Sequence, residues 1–141
     1  MEIEIRRLGP GDEATVAAAG ALFDKPPEPE ATRRFLAEPT HHLLMAFDPA
    51  AAAIGFVSGV ETTHPDKGTE MFLYELSVAP DARRRGVGRR LVEALAELAR
   101  TRGNYDMWVL ADDDNEAARA TYARAGGQDG SRPIMIEWEL R

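Results

Sequence analysis

The stretch that most constrains the fold runs from Tyr74 to Arg90 and reads Y-E-L-S-V-A-P-D-A-R-R-R-G-V-G-R-R. It begins as an apolar strand, is interrupted at Pro80, and continues through an arginine-rich segment that contains Gly86 and Gly88. A helix follows, because apolar residues then recur at helical spacing. Its apolar face is formed by Val87, Leu91, Leu95 and Leu98. The sequence therefore predicts a strand, a glycine-containing loop and an amphipathic helix in direct succession.

This loop has the properties of an anion site. A glycine-rich turn that opens a helix directs backbone N–H groups outwards, where the helix dipole adds partial positive charge. Gly86 and Gly88 would let a phosphate approach the backbone, since glycine has no side chain. Arginines on both sides would add charge-assisted hydrogen bonds. The pattern predicts a polyphosphate site, and the alternative is an exposed basic helix start that binds nothing.

The spacing Arg83-x-x-Gly86-x-Gly88 after L-S-V-A-P resembles the acyl-coenzyme A loop of the GNAT superfamily of N-acetyltransferases. The spacings G-x-x-x-x-G-K-[ST] and G-x-G-x-x-G are absent. The resemblance covers most of the chain from about Ile54 onward, and it implies acetyl-CoA as cofactor. The cofactor-binding residues that it implies in this stretch are Leu76, Ser77, Val78, Arg83, Arg84, Arg85, Gly86, Val87, Gly88 and Arg89.

Length and composition set the outer limits. The 141 residues predict a single domain over 1–141, with 44% apolar and 29% charged residues as in ordinary globular proteins. There is no cysteine, and no apolar stretch has the length of a membrane span or a signal peptide. We therefore expect a cytoplasmic protein without membrane contact. The net charge of −7 disfavours nucleic acid and suits a cationic partner, although it could serve solubility alone.

The order of elements along the chain predicts an α/β (α+β) fold. Apolar alternation and turn residues predict strands near 2–8, 41–47, 53–60, 71–79, 105–111 and 134–140. Helical spacing and capping residues predict helices near 12–22, 30–37, 87–102 and 116–125. Residues 25–29 and 62–69 are predicted to be surface loops. By resemblance this is the GNAT fold, a mixed central sheet of six to seven strands flanked by about four helices.

A second motif lies downstream. Asn115-x-x-Ala118-x-x-x-Tyr122-x-x-x-Gly126 resembles the second signature of the same superfamily. Asn115 could cap a helix or reach a ligand amide, and Ala118 is small enough for a pantetheine arm to pass. Tyr122 is the candidate general acid, because a phenol with a pKa near 10 is protonated at neutral pH and can protonate a departing thiolate. The alternative is a core tyrosine whose hydroxyl is hydrogen-bonded. Gly127 departs from the pattern, where an aromatic residue is usual.

Glu75, on the central strand, is the candidate general base. The resemblance places an acidic residue there to take a proton from the substrate ammonium, often through water, before the amine attacks the thioester. The alternative is a carboxylate that points to solvent or pairs with an arginine. The three histidines, at positions 41, 42 and 64, show no metal-ligand spacing, so we predict no metal site.

Within the superfamily, the chain most resembles the aminoglycoside 3-N-acetyltransferases. Y-E-L-S-V takes the place of their I-Y-D-L-A-V strand, and Ala111-Asp112 takes the place of an A-D pair. This implies an aminoglycoside acceptor held by Glu75, Asp112, Asp113 and Asp114, although the three aspartates could be only a solvated capping turn. Other small amines, a peptide N-terminus and a non-catalytic acyl-CoA-binding domain are alternatives. A homodimer is compatible with the sequence.

Overall fold

The computed structural model describes residues 2–141. The five strands of its sheet are β1 (Glu4–Arg7), β2 (His41–Phe47), β3 (Ala53–His64), β4 (Gly68–Val78) and β5 (Met107–Trp108). The helices are α1 (Glu13–Ala18), α2 (Pro29–Ala37), α3 (Val87–Thr101) and α4 (Glu116–Arg124), with short 3-10 turns at Gly20–Leu22 and Pro80–Ala82.

The sheet is mixed, and its strands follow the order of the chain, β1-β2-β3-β4-β5. Strands β1 to β4 pair with one another in antiparallel fashion, and β5 runs parallel to β4, with Met71 opposite Met107 and Phe72 opposite Trp108. The parallel pair follows from the crossover through α3, since a strand can only rejoin its neighbour in the same direction after a long connection. The predicted strand–loop–helix unit is therefore β4, the loop and α3.

Apolar side chains on both faces of the sheet form the core. On one face α3 contributes Val87, Leu91 and Leu95, which pack against β3 and β4. On the other face α1 and α2 contribute Val16 and Leu36. Strand β2 contributes side chains to the core on both faces of the sheet, because alternate residues of a strand point to opposite sides. The residues of β2 that face α1 and α2 are Leu43, Met45 and Phe47, and those that face α3 are Leu44 and Ala46.

The mixed sheet and the four helices were predicted, but several boundaries were wrong. The sheet has five strands over the described residues instead of six to seven. Residues 134–140 are in no strand, and 105–111 shortens to Met107–Trp108. The predicted loop 62–69 is mostly strand, because β3 and β4 extend as a hairpin that turns between His64 and Gly68. The polar character of this stretch led to the loop prediction, and most of its residues are exposed in the hairpin.

Candidate active site

A β-bulge at Tyr74 determines which side chains of β4 face which side of the sheet. Ser58 pairs with Glu75 and Gly59 pairs with Leu73, so Tyr74 is the extra residue. Before the bulge, Met71 and Leu73 pack against α3, and after it the cluster on that side continues with Leu76 and Val78. A bulge shifts the two-residue alternation by one. Glu75 and Ser77 are consequently turned to the opposite face of the sheet.

Glu75 is half-buried on that face, next to the segment that follows α1. Its backbone N–H donates to the Ser58 hydroxyl at 3.2 Å, and the Ser77 hydroxyl donates to the Leu22 carbonyl at 2.7 Å. The second bond ties Leu22, in the segment after α1, to the end of β4. Burial, and then the negative charge of Asp24, raises the pKa of the Glu75 carboxyl. The structure thus brings together two carboxyl groups, one of which the sequence did not single out.

The segment around Asp24 also borders an open cavity. Phe23 stacks on Phe56 with ring centroids 4.3 Å apart, which anchors this segment on β3. The cavity has a volume of about 440 Å³. Its lining residues are Ala17, Gly20, Ala21, Phe23, Asp24, Lys25, Pro26 and Pro27. Proline content predicted a surface loop at residues 25–29, but only the tertiary structure shows that the neighbouring Asp24 lies close to Glu75.

The loop between β4 and α3 leaves the first turn of α3 open. Gly86 is the N-cap and takes a left-handed conformation with φ of +78°, and no side chain caps the helix. The first amide that bonds back is that of Arg90, to the Gly86 carbonyl. The N–H groups of Val87, Gly88 and Arg89 are therefore available to an anion. Arg84 also has a positive φ, of 63°, which is costly for arginine and typical of functional loops.

The arginines of this loop differ in what they contact. Arg83 donates to the Val78 carbonyl at 3.2 Å, which closes the loop on the end of β4. Arg89 pairs with Glu93 one turn along α3, and Arg90 donates to the Ile3 carbonyl at 3.4 Å. Arg84 and Arg85 are exposed. The positive charge predicted at the start of α3 is present, and part of it also ties the loop to the body of the protein.

Gly88 has a packing role that the sequence did not reveal. A Cβ added there would lie 3.2 Å from the Thr121 methyl carbon on α4 and 3.6 Å from Val78. Gly88 therefore lets α3, α4 and the end of β4 approach one another. The sequence attributed this glycine to the close approach of a phosphate alone. A valine at this position would bring its added atoms against Thr121, so Gly88 is also needed for the packing of α3 on α4.

Tyr122 lies next to this junction. It is half-buried on α4 and packs against the cluster that includes Leu76 and Val78. Burial raises the pKa of its phenol, so the hydroxyl is protonated at neutral pH. Asn115 is the N-cap of α4, and its side-chain oxygen accepts from the Ala118 N–H at 3.1 Å. Of the two roles considered for Asn115, the structure places it in the helix cap.

Asp112, Asp113 and Asp114 form an exposed turn before α4. The Asp112 carbonyl accepts from the Asn115 N–H, and the Asp113 carbonyl accepts from Arg119 at 2.9 Å. The Asp113 carboxylate also lies 3.9 Å from Arg132. These contacts are those of a solvated turn that starts a helix. The carboxylate that acts on Glu75 in this structure is Asp24.

The arrangement fits coenzyme A. A pyrophosphate needs several unpaired backbone N–H groups that no side chain shields, and the uncapped start of α3 provides them. The pantetheine arm would then pass between the ends of β4 and α4, where Ala118 is small and half-buried. No group of three or more His, Cys, Asp or Glu side chains within residues 2–141 could hold a metal ion.

Comparison with known proteins identifies the family. Residues 13–127 match the family described as "Acetyltransferase (GNAT) family", which is more than half of the chain. The chain belongs to the GNAT acetyltransferase family. Both signatures and the strand between them lie within the matched range, so the predicted family is confirmed. Members of the family use acetyl-CoA, which confirms the predicted cofactor.

Curated relatives of this family member include acetyltransferases with different names. The chain is 37% identical over 129 residues to a mycothiol acetyltransferase of Nocardia farcinica. This match covers 89% of the present chain and 38% of the relative. The chain is also 40% identical over 57 residues to a [ribosomal protein bS18]-alanine N-acetyltransferase of Salmonella typhimurium. This match covers 40% of the present chain and 38% of the relative. The chain thus spans about two-fifths of the length of these relatives.

Solved structures with the same fold include several aminoglycoside acetyltransferases. Two come from uncultured soil metagenomic samples: meta-AAC0020 (TM-score 0.89, 18% identity, 99% of this chain and 97% of that one) and HMB0005 (TM-score 0.80, 27% identity, 99% and 100%). An aminoglycoside 6′-N-acetyltransferase of Acinetobacter baumannii superposes with a TM-score of 0.80 at 17% identity, over 99% of both chains. No helix within residues 2–141 is long and apolar enough to cross a membrane.

Proposed function

We propose that this GNAT acetyltransferase transfers the acetyl group of acetyl-CoA to a primary amine of an aminoglycoside. The observation that carries the proposal is the pair of carboxyl groups formed by Glu75 of β4 and Asp24 of the loop after α1, of which Asp24 lines an open cavity. An aminoglycoside carries several ammonium groups, and converging carboxylates would hold it. The net charge of −7 favours such a polycation at a distance. Asp112 to Asp114 remain candidates for a second, more distant contact.

The position acetylated has two competing assignments. The motif around Y-E-L-S-V resembles the 3-N enzymes, which favours the 3-amino group. A solved structure of the same fold belongs to a 6′-N-acetyltransferase, at an identity that supports the fold alone. We adopt the 3-amino group, since it rests on residues at the end of β4. An NMR spectrum of the acetylated product distinguishes the two positions directly.

The mechanism begins with removal of a proton from the acceptor. Glu75 accepts that proton at its carboxylate, directly or through a water, because an ammonium has no lone pair for attack. Its raised pKa brings it closer to neutral pH, where a general base is more effective. Asp24, with a second negative charge, would hold another ammonium of the same acceptor. The two carboxyl groups thus divide the tasks of proton transfer and binding.

The second proton transfer falls to Tyr122. Acetyl-CoA, when bound, supplies the thioester carbonyl that the free amine attacks. The Tyr122 hydroxyl would donate its proton to the departing sulfur, and its raised pKa keeps that proton available at neutral pH. The open N–H groups at the start of α3 would hold the cofactor's phosphates. The chain has no cysteine to form a thioester of its own, so we propose direct transfer within a ternary complex.

An acceptor panel tests the function. We would measure release of free coenzyme A thiol with aminoglycosides, polyamines and peptides with an N-terminal alanine. We expect gentamicin-type antibiotics to be acetylated, with a KM that rises with ionic strength because exposed ion pairs are screened beyond about 8 Å. Glu75→Gln should lose about 10²–10⁴-fold in kcat/KM. Glu70→Gln, on the same strand but bonded to His64 and Tyr105, is the matched control and should retain activity.

A second candidate acceptor is a peptide N-terminus. It is favoured by the 40% identity to the ribosomal-alanine acetyltransferase over 57 residues. A peptide carries one α-amino group, so Asp24 would have little to bind beyond it. Acetylation of the alanine peptide without acetylation of any aminoglycoside would select this candidate. Thiol release with none of the acceptors, while coenzyme A still binds, would instead indicate a non-catalytic acyl-CoA-binding domain.

A further inference from the structure

Three aromatic rings of β4 and β5 lie side by side on the face of the sheet away from α3, and they are named the aromatic platform here. The ring centroids of Phe72 and Trp108 are 4.4 Å apart, and those of Phe72 and Tyr74 are 5.8 Å apart in an edge-to-face arrangement. Tyr74 is 64% exposed and Trp108 is 41% exposed. The three rings therefore form a continuous apolar surface that is open to solvent.

The pairing of β4 places the platform beside the candidate base. Met71 and Leu73 pack below α3, so Phe72 between them points to the opposite face. Trp108 pairs with Phe72 in the parallel ladder of β4 and β5. Tyr74 is the bulged residue, and the contact of its ring with Phe72 puts it on the same face. The next residue in the chain is the candidate base, which shares this face.

The helices on this face of the sheet do not cover the platform. The segment Met71–Tyr74 reads M-F-L-Y, and such a continuous apolar run is typical of a strand that is covered on both faces. The apolar cluster under α1 and α2 draws on β2 and β3, and among residues 2–141 it includes no residue of β4 or β5. An exposed apolar surface beside polar groups is typical of a ligand site.

The charge beside the platform is negative. Asp24 lies close enough to Glu75 for its charge to act on the Glu75 carboxyl, and Glu75 follows Tyr74 directly. Aromatic rings bury apolar C–H surface well, and their faces attract cations. A ligand that matches both features carries ammonium groups on a ring whose faces are apolar. Amino sugars and aminocyclitols have this chemistry.

We propose that the aromatic platform binds the face of one amino-substituted saturated ring of the acceptor, while ammonium groups of the acceptor contact Glu75 and Asp24. Tyr74 and Trp108 are then residues that select the acceptor, because they recognise its ring as well as its charge. A linear polyamine offers the charge without a ring face, and the backbone of a peptide N-terminus offers a single ammonium group. This inference rests on the proposed aminoglycoside acceptor and assigns the residues that distinguish it from other amines.

Tryptophan fluorescence tests the platform without any reaction. The chain contains two tryptophans, so Trp138→Phe leaves Trp108 as the only one. In this background we expect gentamicin to cause a saturable change in the emission of Trp108, and the linear polyamine spermine to cause a smaller change at the same ionic strength. Tyr74→Ala should raise the Kd for gentamicin about 3–30-fold. Tyr74→Phe keeps the ring and should restore most of the affinity.

Tyr105→Ala is the matched control for these measurements. Tyr105 is also an exposed tyrosine, but it lies outside the platform, and its hydroxyl donates to Glu70 at 3.1 Å. Its removal should leave the Kd for gentamicin unchanged. A Kd that Tyr74→Ala does not raise, or that Tyr74→Ala raises equally for gentamicin and spermine, overturns the proposal.

Steady-state kinetics separates this inference from the proposed function. Tyr74→Ala should raise the KM for gentamicin by the same factor as the Kd and change kcat much less, because ring packing serves the ground state and the transition state alike. If the wild type acetylates gentamicin and Tyr74→Ala keeps the wild-type KM, the platform is wrong and the proposed function stands. Binding that depends on Tyr74 but leads to no acetylation contradicts the proposed function alone. If gentamicin is neither bound nor acetylated, both are wrong.

Discussion

At the scale of single residues, the Glu75 carboxyl depends on a neighbour far away in sequence. Its pKa is raised by burial and by the charge of Asp24, which lies in the loop after α1. Removing that charge should lower the pKa of Glu75. The acid limb of the kcat/KM profile reports the base of the free enzyme, so Asp24→Asn should move that limb to lower pH. The KM for a polycationic acceptor should rise by up to about fivefold, as for one exposed ion pair.

The control for this prediction is Asp66→Asn, in the turn between β3 and β4. Asp66 is exposed and pairs with Lys67, away from Glu75. The Asp66→Asn substitution removes the same charge from the protein and should leave the acid limb of the kcat/KM profile in place. If Asp24→Asn leaves the limb unmoved as well, Glu75 is not the base that the profile reports.

Tyr122 gives the second prediction at this scale. Tyr122→Phe removes the hydroxyl and keeps the ring in its half-buried position, so the fold and cofactor binding should be retained. The kcat should fall by about 10²–10⁴-fold, the usual contribution of a positioned acid. Steady-state kinetics and calorimetric titration with coenzyme A measure the two effects separately. Tyr105→Phe, whose hydroxyl bonds Glu70, is the matched control, and full activity of Tyr122→Phe would remove the proposed acid.

At the scale of elements, the contact between α3 and α4 depends on Gly88. Gly88→Val would place side-chain atoms against the Thr121 methyl, and we expect a loss of about 1–3 kcal/mol in the free energy of unfolding. Thr121→Ser removes that methyl and should restore part of the stability in the double variant. Urea denaturation of the four proteins measures the coupling. Additive effects would show that the two residues do not meet.

The bulge at Tyr74 belongs to the same scale. It reverses the orientation of β4 between Leu73 and Glu75, so that one strand contributes Met71 and Leu73 to the core below α3 and Glu75 to the opposite face. Without the extra residue, Glu75 would point towards α3 and the Asp24 loop would face Leu76. The position of the candidate base is therefore set by the pairing of β3 with β4.

At the scale of the whole molecule, a buried polar network joins β1, β2, β3 and the end of α3. His42 is fully buried, accepts from Arg7 at Nδ1 (2.8 Å) and donates from Nε2 to Glu61 (2.6 Å). Arg102 and Asn104 also donate to Glu61. Since Arg7 is a donor, His42 must be neutral to accept from it. Burial is the main cause that lowers the pKa of His42.

This network predicts how stability depends on pH. The pKa of His42 is below 6.5 in the folded protein and near 6.5 in the unfolded chain, so the unfolded chain binds the proton first. The free energy of unfolding should therefore fall as pH decreases below about 6.5, by at most about 1.4 kcal/mol per pH unit. Urea denaturation between pH 8 and 5 measures the slope.

Two variants test whether His42 causes this pH dependence of the free energy of unfolding. His42→Gln should flatten it, whatever its effect on stability at pH 8. His64→Gln should keep it, because His64 is partly exposed and bonds Glu70 near the end of the hairpin. Glu61, whose pKa is also lowered, contributes only at lower pH, below about 4.5. An unchanged slope in His42→Gln would place the linked proton elsewhere.

The sequence by itself determined the family, the cofactor and the central unit of β4, loop and α3. Those features are local: Arg83, Gly86 and Gly88 are close in the chain, and the apolar face of α3 follows from a spacing of three and four. The sequence also predicted the start of α4 at Asn115 and its end near Gly126, because helix capping depends on residues that are neighbours in the chain.

Only the tertiary structure decided the partners of these residues. It placed Asp24 beside Glu75, turned Glu75 through the bulge, packed Gly88 against Thr121, and left residues 134–140 unpaired. Each result depends on contacts between segments distant in sequence, and strand register, unlike helical spacing, is set by the neighbouring strand. Residues 134–140 have the alternating pattern of a strand but pair with no strand in this structure, and pairing is a tertiary contact that the pattern alone does not determine.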